Sequence, residues 1–332
     1  MTDPLWITEA DCVEALSLPE AIPALEAGLA LEAAGTARNM AKTHQIWGDH
    51  HTLHAIGAVV EGAHIVGTKT WAHTAGGATP LVTLWNSETG KLEAIIEAFA
   101  LGQMRTGGIS GVATAHMARE DADDLAIVGT GKQAITQVMA VAAVRPLKRI
   151  RVFSPTPENR RSFIARLERL LPATDLVEAT SVESAVKDAA IITLVTRAKT
   201  PVLTAAMIAP GTHLNAVGAI TPEREEFTQD VFGRVSAIAV DTVDSVKSLS
   251  AEFAKRFGTG DWSAVRPLSE LVAPHAVRPK GADITLFKAM GMGLSDLALG
   301  IEILKRVRAK GGGRPFPHPK PAQPRLVGVP HA

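Results

Sequence analysis

The chain has 332 residues, 46% of them hydrophobic, enough to fill the cores of about two domains. Lys plus Arg and Asp plus Glu each number 34, so the formal net charge is zero, and neither nucleic acid nor an anionic membrane is an expected partner. No apolar run approaches the roughly 20 residues needed to span a bilayer, and Asp3 and Glu9 stand where a basic leader would lie, so a cytoplasmic location is expected.

The single cysteine, Cys12, excludes an intrachain disulfide or a multi-thiolate metal site. The 11 His residues include His50, His51 and His54, but none falls in a ligand spacing such as His-Glu-x-x-His, and no metal is expected.

Residue patterning predicts a short extended piece at Ile7-Thr8, then helices over 9–16 and 19–34, the second carrying Ile22, Leu25, Leu29 and Leu31 and ended by Gly35. Strands are predicted over 42–47, 52–60, 64–71 and 80–86, with turns at Gly48-Asp49 and Thr89-Gly90, which makes a mixed, partly antiparallel sheet. Thr106 opens a run of small residues, Gly107 and Gly108 among them, that reads as the start of a helix reaching Ala118. Glycine costs about 1 kcal/mol in a helix relative to alanine, so something must approach this backbone closely: a cofactor, a substrate or a neighbouring helix. A helix start beside Arg105 favours an anion, with the Thr106 hydroxyl as a further contact.

From Asp124 the rhythm changes. Strands over 125–128, 149–153, 176–179, 191–195, 213–217 and 237–240 alternate with helical stretches over 132–144, 157–171 and 182–189, the pattern of a doubly wound parallel sheet. The first of these strands ends in Gly-Thr-Gly-Lys-Gln-Ala at 129–134, a Gly-x-Gly-x-x-Ala turn opening a helix, where backbone amides and a positive helix end suit a pyrophosphate. At the end of the second strand Ser154 stands where an NAD site commonly carries an acid, with Thr156, Asn159, Arg160 and Arg161 nearby. That composition favours NADP over NAD, although Glu158 argues the other way. An amphipathic helix is expected over 291–309, followed by a Pro- and Gly-rich extended tail from Gly311 that includes Pro317 and Pro330.

Lys42, Lys69 and Arg105 each lie in apolar or Gly-rich surroundings. Together they would receive a small carboxylate; separately, each would pair with a local acid or reach solvent. Trp71 reads as a pocket wall or as core.

Six segments jointly resemble the ornithine cyclodeaminase/μ-crystallin family, which includes alanine dehydrogenases and ketimine reductases. They are Gly-Thr-Lys ending at Lys69, Gln-Met-Arg-Thr at 103–106, Ile-Val-Gly-Thr-Gly-Lys-Gln-Ala at 127–134, Thr-Leu-Val-Thr-Arg-Ala-Lys-Thr-Pro-Val-Leu at 193–203, His-Leu-Asn-Ala-Val-Gly at 213–218 and Asp-Ile-Thr-Leu-Phe-Lys-Ala-Met-Gly at 283–291. The resemblance implies an α/β chain: a mixed α+β substrate and dimerisation domain over 1–118 and 292–310, a Rossmann domain over 119–291, and a tail over 311–332. It implies a homodimer. It also implies that Lys42, Lys69 and Arg105 hold a substrate carboxylate, with Lys69 handling a proton and Trp71 and His73 beside the substrate; His44 and His73 are lesser proton candidates. Gly129, Thr130, Gly131, Lys132, Gln133 and Ala134 would meet the pyrophosphate, Thr196, Val217 and Gly218 the nicotinamide, and Lys288 would complete the cofactor set.

One departure bears on function. Where cyclodeaminases carry Gly-Ala-Asp-x-Pro-Gly-Lys, this chain reads Gly-Ala-Ile-Thr-Pro-Glu-Arg at 218–224, so Ile220 replaces an active-site acid, and Glu225 follows where the reductases tend to carry Arg. An apolar group can neither accept a proton nor pair with a substrate amine. The expectation is therefore a reductase that uses NADP or NAD on imines of 2-oxo acids or the related amino acids, ahead of a non-catalytic ligand- and NADP-binding protein and, last, a cyclodeaminase.

Overall fold

A computed structural model describes residues 3–48, 51–272 and 278–326. Asp49 of the expected turn, His50 and the tail beyond 326, Pro330 included, lie outside the described residues.

The first part of the chain builds β1 (Leu5–Ile7), α1 (Glu9–Ala15), α2 (Leu18–Ala33), β2 (Ala37–Asn39), β3 (Thr43–Trp47), β4 (His51–Val60), β5 (Ile65–Thr74), β6 (Gly77–Ala78), β7 (Leu81–Asn86), β8 (Leu92–Glu97) and α3 (Phe99–Met117). Thr8 with Asp11, and Ser17 with Glu20, form capping boxes that start α1 and α2. With a later strand, β17 (Arg314–Pro315), the strands run in the order β17-β1-β8-β7-β5-β4-β2, with β3 on β4 and β6 on β5; β1 and β8 are parallel and the other pairs antiparallel. The last of the chain's strands, β17 (Arg314–Pro315), comes from the tail, whose first residues thus pair with β1.

The second sheet contains β9 (Asp124–Val128), β10 (Arg149–Phe153), β11 (Asp175–Glu178), β12 (Ile191–Leu194), β13 (His213–Ala216), β14 (Val235–Val240), β15 (Val265–Pro267) and β16 (Ile284–Lys288). Its order is β11-β10-β9-β12-β13-β16-β14-β15, parallel throughout. Helices α4 (Ala134–Val144), α5 (Pro157–Leu170), α6 (Val182–Val186), α7 (Val243–Leu249) and α8 (Ala251–Phe257) lie between the strands in sequence. The chain departs from β9 first to one side and then to the other, so a crevice opens at the carboxyl ends of β9 and β12, where such sheets receive ligands.

Two expectations give way here. Thr106 does not begin a helix: α3 starts at Phe99, and Thr106 sits within it, its hydroxyl donating to the Gly102 carbonyl at 2.8 Å. Arg105 therefore stands inside α3 rather than beside its start. The glycines serve helix packing instead, since a Cβ on Gly107 would stand 2.7 Å from the Thr136 carbonyl oxygen of α4, and one on Gly108 2.5 Å from Leu25 of α2.

The final helix, α9 (Gly293–Ala309), is amphipathic only in its second half. Every residue from Gly293 to Gly300 is buried, because the helix begins hard against β4, where a Cβ on Gly293 would meet the Gly57 carbonyl oxygen at 2.1 Å. That carries Ser295 and Asp296 into the interior.

Candidate functional site

A cavity of about 850 Å³ runs from the glycine turn after β9 to the β4–β5 face of the first sheet. Gly129 shapes one end: its φ of +113° lies where side-chain-bearing residues are strained, and a Cβ would lie 2.6 Å from the Val195 carbonyl oxygen. Gly131 has nothing within 4 Å of its would-be Cβ, and the amides of Gly131, Lys132 and Gln133 make no hydrogen bond among the described residues. Open space over unpartnered donors at the start of α4 is the cradle a pyrophosphate requires. Thr130, Lys132 and Gln133 line the same wall, and Phe153 and Ser154 line it at the end of β10.

The middle of the cavity is organised by a carboxylate that the sequence did not flag. Glu226 is fully buried. Its Oε1 accepts from the Thr196 amide at 2.7 Å and the Thr196 hydroxyl at 2.8 Å, and its Oε2 accepts from the amides of Gly218 at 2.8 Å and Ala219 at 3.1 Å. One side chain thus joins the loops that follow β12 and β13 and sets the positions of Thr196, Val217 and Gly218 along the lining. A dinucleotide fits this combination of glycine turn, free amides and shaped apolar floor.

At the other end the lining includes Lys42, Ile56, Trp71, Arg105, Thr106 and Asp241. Lys42 belongs to the coil just before β3 rather than to the strand, and it makes no hydrogen bond or ion pair among the described residues. Burial, then the nearby Arg105 charge, lowers its pKa. Arg105 lies on α3 with Nε 3.3 Å from Asp296 Oδ1. Lys69, on β5, donates to the same oxygen at 2.5 Å, and its ammonium lies 5.0 Å from the centroid of the Trp71 ring. Its pKa falls to about 8, chiefly through burial and next through Arg105, while Asp296 pulls the other way. Lys69 does not itself line the cavity; it stands behind Arg105 and Trp71. Asp241, whose pKa burial raises, accepts from the amides of Thr242, Met290 and Gly291 and so holds the turn against which Arg105 rests.

Several expected contacts are corrected by their surroundings. Lys288 is wholly buried and donates to the Ala219 carbonyl at 2.7 Å, 3.3 Å from Glu252, so it supports the loop from beneath. Ala134 is also buried, its amide bonded to the Gly131 carbonyl. The Arg160 guanidinium turns inward to Glu178 at 3.0 Å and the Ser154 carbonyl at 2.7 Å, while Arg161 pairs with Glu158. Thr156 and Asn159 are exposed and outside the lining, as is His73, two residues beyond Trp71 on β5.

Asp241, Asp296 and Glu226 were missed. For the first two a signal existed: each is a lone acid ending or interrupting an apolar run. Glu226 sits among other acids at 223–226 and offered none.

The family model for ornithine cyclodeaminase/mu-crystallin proteins matches residues 3–311. The chain belongs to that family. Among its curated members, a Delta(1)-pyrroline-2-carboxylate reductase from Bacillus cereus is 29% identical over 237 residues, covering 70% of this chain and 72% of that protein. The ketimine reductase mu-crystallin of Rattus norvegicus is 29% identical over 217 residues, covering 65% and 66% respectively. Among solved structures, a Thermococcus litoralis Delta(1)-pyrroline-2-carboxylate reductase in complex with NADH and L-proline aligns with a TM-score of 0.86 at 25% identity, over 94% of this chain and all of that one. Family membership agrees with the two-sheet architecture and the crevice between them.

Proposed function

We propose that this chain is an NAD(P)H-dependent reductase of imines formed from 2-oxo acids, cyclic or assembled from the oxo acid with ammonia or an alkylamine. The observation that carries the reading is the pairing, in one cavity, of the glycine-turn cradle with Lys42 and Arg105 at the far end. At that end Lys69 pairs with Asp296, whereas Lys42 has no ion-pair partner among the described residues, so a substrate carboxylate finds an uncompensated cation there.

A bound reduced nicotinamide supplies the hydride, which adds to the imine carbon while the nitrogen gains a proton. The protein's part is then largely positioning. Lys42 and Arg105 grip the carboxylate, the Glu226-held loops shape the floor, and Lys69, titrating near neutrality behind the clamp, serves as the proton reservoir. The names of the two curated relatives and of the archaeal structure support this substrate class. We further propose that the active form is a homodimer.

Nicotinamide absorbance followed with a cyclic imino acid, and with pyruvate plus methylamine or ammonia, tests the reading. Oxidation of the reduced cofactor is expected with the imines; cofactor binding without oxidation by any of them rejects it. A Lys69→Met variant should lower kcat by about 100-fold or more, whereas a non-catalytic binding protein would show only a changed dissociation constant.

A further inference from the structure

Three buried charges lie beneath the cavity floor. Glu226, Glu252 on α8 and Lys288 at the end of β16 are fully buried and stand outside the lining, whereas Gly218 and Ile220, in the loop after β13, belong to it. The residue between those two, Ala219, is held from both sides: its amide donates to Glu226 Oε2 at 3.1 Å, and its carbonyl accepts from Lys288 Nζ at 2.7 Å. Glu252 joins the two holders. Its Oε1 accepts from the Glu226 amide at 3.0 Å, and its Oε2 accepts from the Ser250 hydroxyl at 2.8 Å and stands 3.3 Å from Lys288 Nζ. One carboxylate thus sets both the backbone that carries Glu226 and the ammonium that meets the Ala219 carbonyl.

Stability alone does not account for this arrangement, because hydrocarbon of similar volume commonly serves a fold as well as a buried ion pair does. The neighbouring residues already secure both segments: Phe227, next to Glu226, and Phe253, next to Glu252, pack on Phe232 with ring centroids 5.4 and 5.2 Å away. Apolar packing is non-directional, whereas a donor and an acceptor on opposite sides of one residue fix the orientation of its backbone. The backbone so fixed is that of Ala219, which decides where Gly218 and Ile220 meet the cavity beside Thr196.

A doubly wound sheet binds a dinucleotide across two mononucleotide halves. The glycine turn after β9 and Ser154 after β10 belong to the first half, and the loops after β12 and β13 to the second, so the Ala219 loop serves the nicotinamide side. We infer that Glu252 is a positioning residue for the nicotinamide half of the dinucleotide, holding the Ala219 backbone through Lys288 and through the backbone of Glu226. The inference rests on the dinucleotide part of the reductase reading and adds to it a residue that never meets the cofactor. Its effect is local to one nucleoside, because the amides of Gly131, Lys132 and Gln133 that face the pyrophosphate stand on a different turn.

Calorimetry on the full chain compares NADH with ADP-ribose, which keeps the pyrophosphate and both riboses but lacks the nicotinamide; the 2′-phosphorylated pair replaces them if the unaltered protein binds it more tightly. Glu252→Gln keeps the size and leaves one oxygen to accept where two did. Its dissociation constant for NADH is expected to rise about tenfold or more, while that for ADP-ribose changes by less than about threefold. The double variant Glu252→Leu, Lys288→Met removes the pair without stranding a charge and is expected to show the same selective loss. Equal weakening of both ligands in either variant, by unfolding or otherwise, overturns the inference, as does an unchanged affinity for NADH. Turnover is scored separately. A selective loss in a chain that oxidises NADH with no imine upholds the positioning role and rejects the reductase, whereas imine reduction with an unselective loss does the reverse.

Discussion

Lys69 Nζ lies 2.5 Å from Oδ1 of Asp296, a residue 227 positions later in the chain. The contact joins β5 to the buried half of α9, and Arg105 on α3 shares the same oxygen. Asp296 Oδ2 has no hydrogen-bond partner among the described residues, so the carboxylate acts through one oxygen on two cations. Its charge is the largest influence that keeps the Lys69 proton in place against burial and Arg105.

Asp296→Asn removes that influence, and the Lys69 pKa should fall below about 8. A protonated Lys69 is present below its pKa and lost as pH rises through it, so the alkaline limb of kcat should shift to lower pH by about 1–3 units. An unchanged limb would show that Lys69 is not the titrating group. For folding the sign is opposite: because the folded value lies below the usual 10.5, the penalty Lys69 imposes is full below about 8 and fades as pH climbs towards 10.5.

Glu226 has four donors and no cation within an ion pair, so its effect is geometric. Glu226→Gln keeps the size but can accept through only one oxygen, freeing either the Thr196 or the Gly218 side of the junction. Cofactor affinity should fall by about 10–100-fold, with the imine KM at saturating cofactor less affected. Titration of nicotinamide fluorescence reads the first quantity and steady-state kinetics the second; equal losses in both would mean general unfolding instead.

Arg160 is held by Glu178 and the Ser154 carbonyl rather than offered to a 2′-phosphate. Arg160→Ala should therefore destabilise the fold by about 1–3 kcal/mol, seen as a lower denaturation midpoint. The ratio of NADH to NADPH kcat/KM should move by less than about threefold. A selective loss of NADPH activity would instead place the guanidinium on the phosphate.

β3 is an edge strand with all five residues exposed, and its Trp47 shares the outer face of the β3–β4 hairpin with Leu53 of β4, at 43% and 51% exposure. Exposed apolar groups of this size on an unpaired edge call for a covering surface, which the homodimer proposed above would supply with a second copy of the chain. Light scattering should give a mass of twice 34.9 kDa for the unaltered protein and a smaller mass for a Trp47→Glu, Leu53→Glu variant. A monomer in both cases rejects the assignment.

What the sequence alone determined is local in origin. The alternation of apolar strands and helices after Asp124 and the glycine turn at 129–131 act over a few neighbouring positions, so the second sheet and its dinucleotide cradle were legible directly. Lys42, Lys69 and Arg105 stood out because a cation in apolar surroundings is costly anywhere. Their partners did not, since Asp296, Asp241 and Glu226 reach the site from distant segments, and only the folded chain decides whether an acid meets a cation, a row of amides or water. Tertiary packing likewise turned Arg160 and Lys288 inward and decided that what approaches Gly107 and Gly108 is a neighbouring helix, one of the three alternatives the sequence left open. Short-range propensities are written residue by residue, whereas the pairing of buried charges is settled by which surfaces the fold brings within about 4 Å of one another.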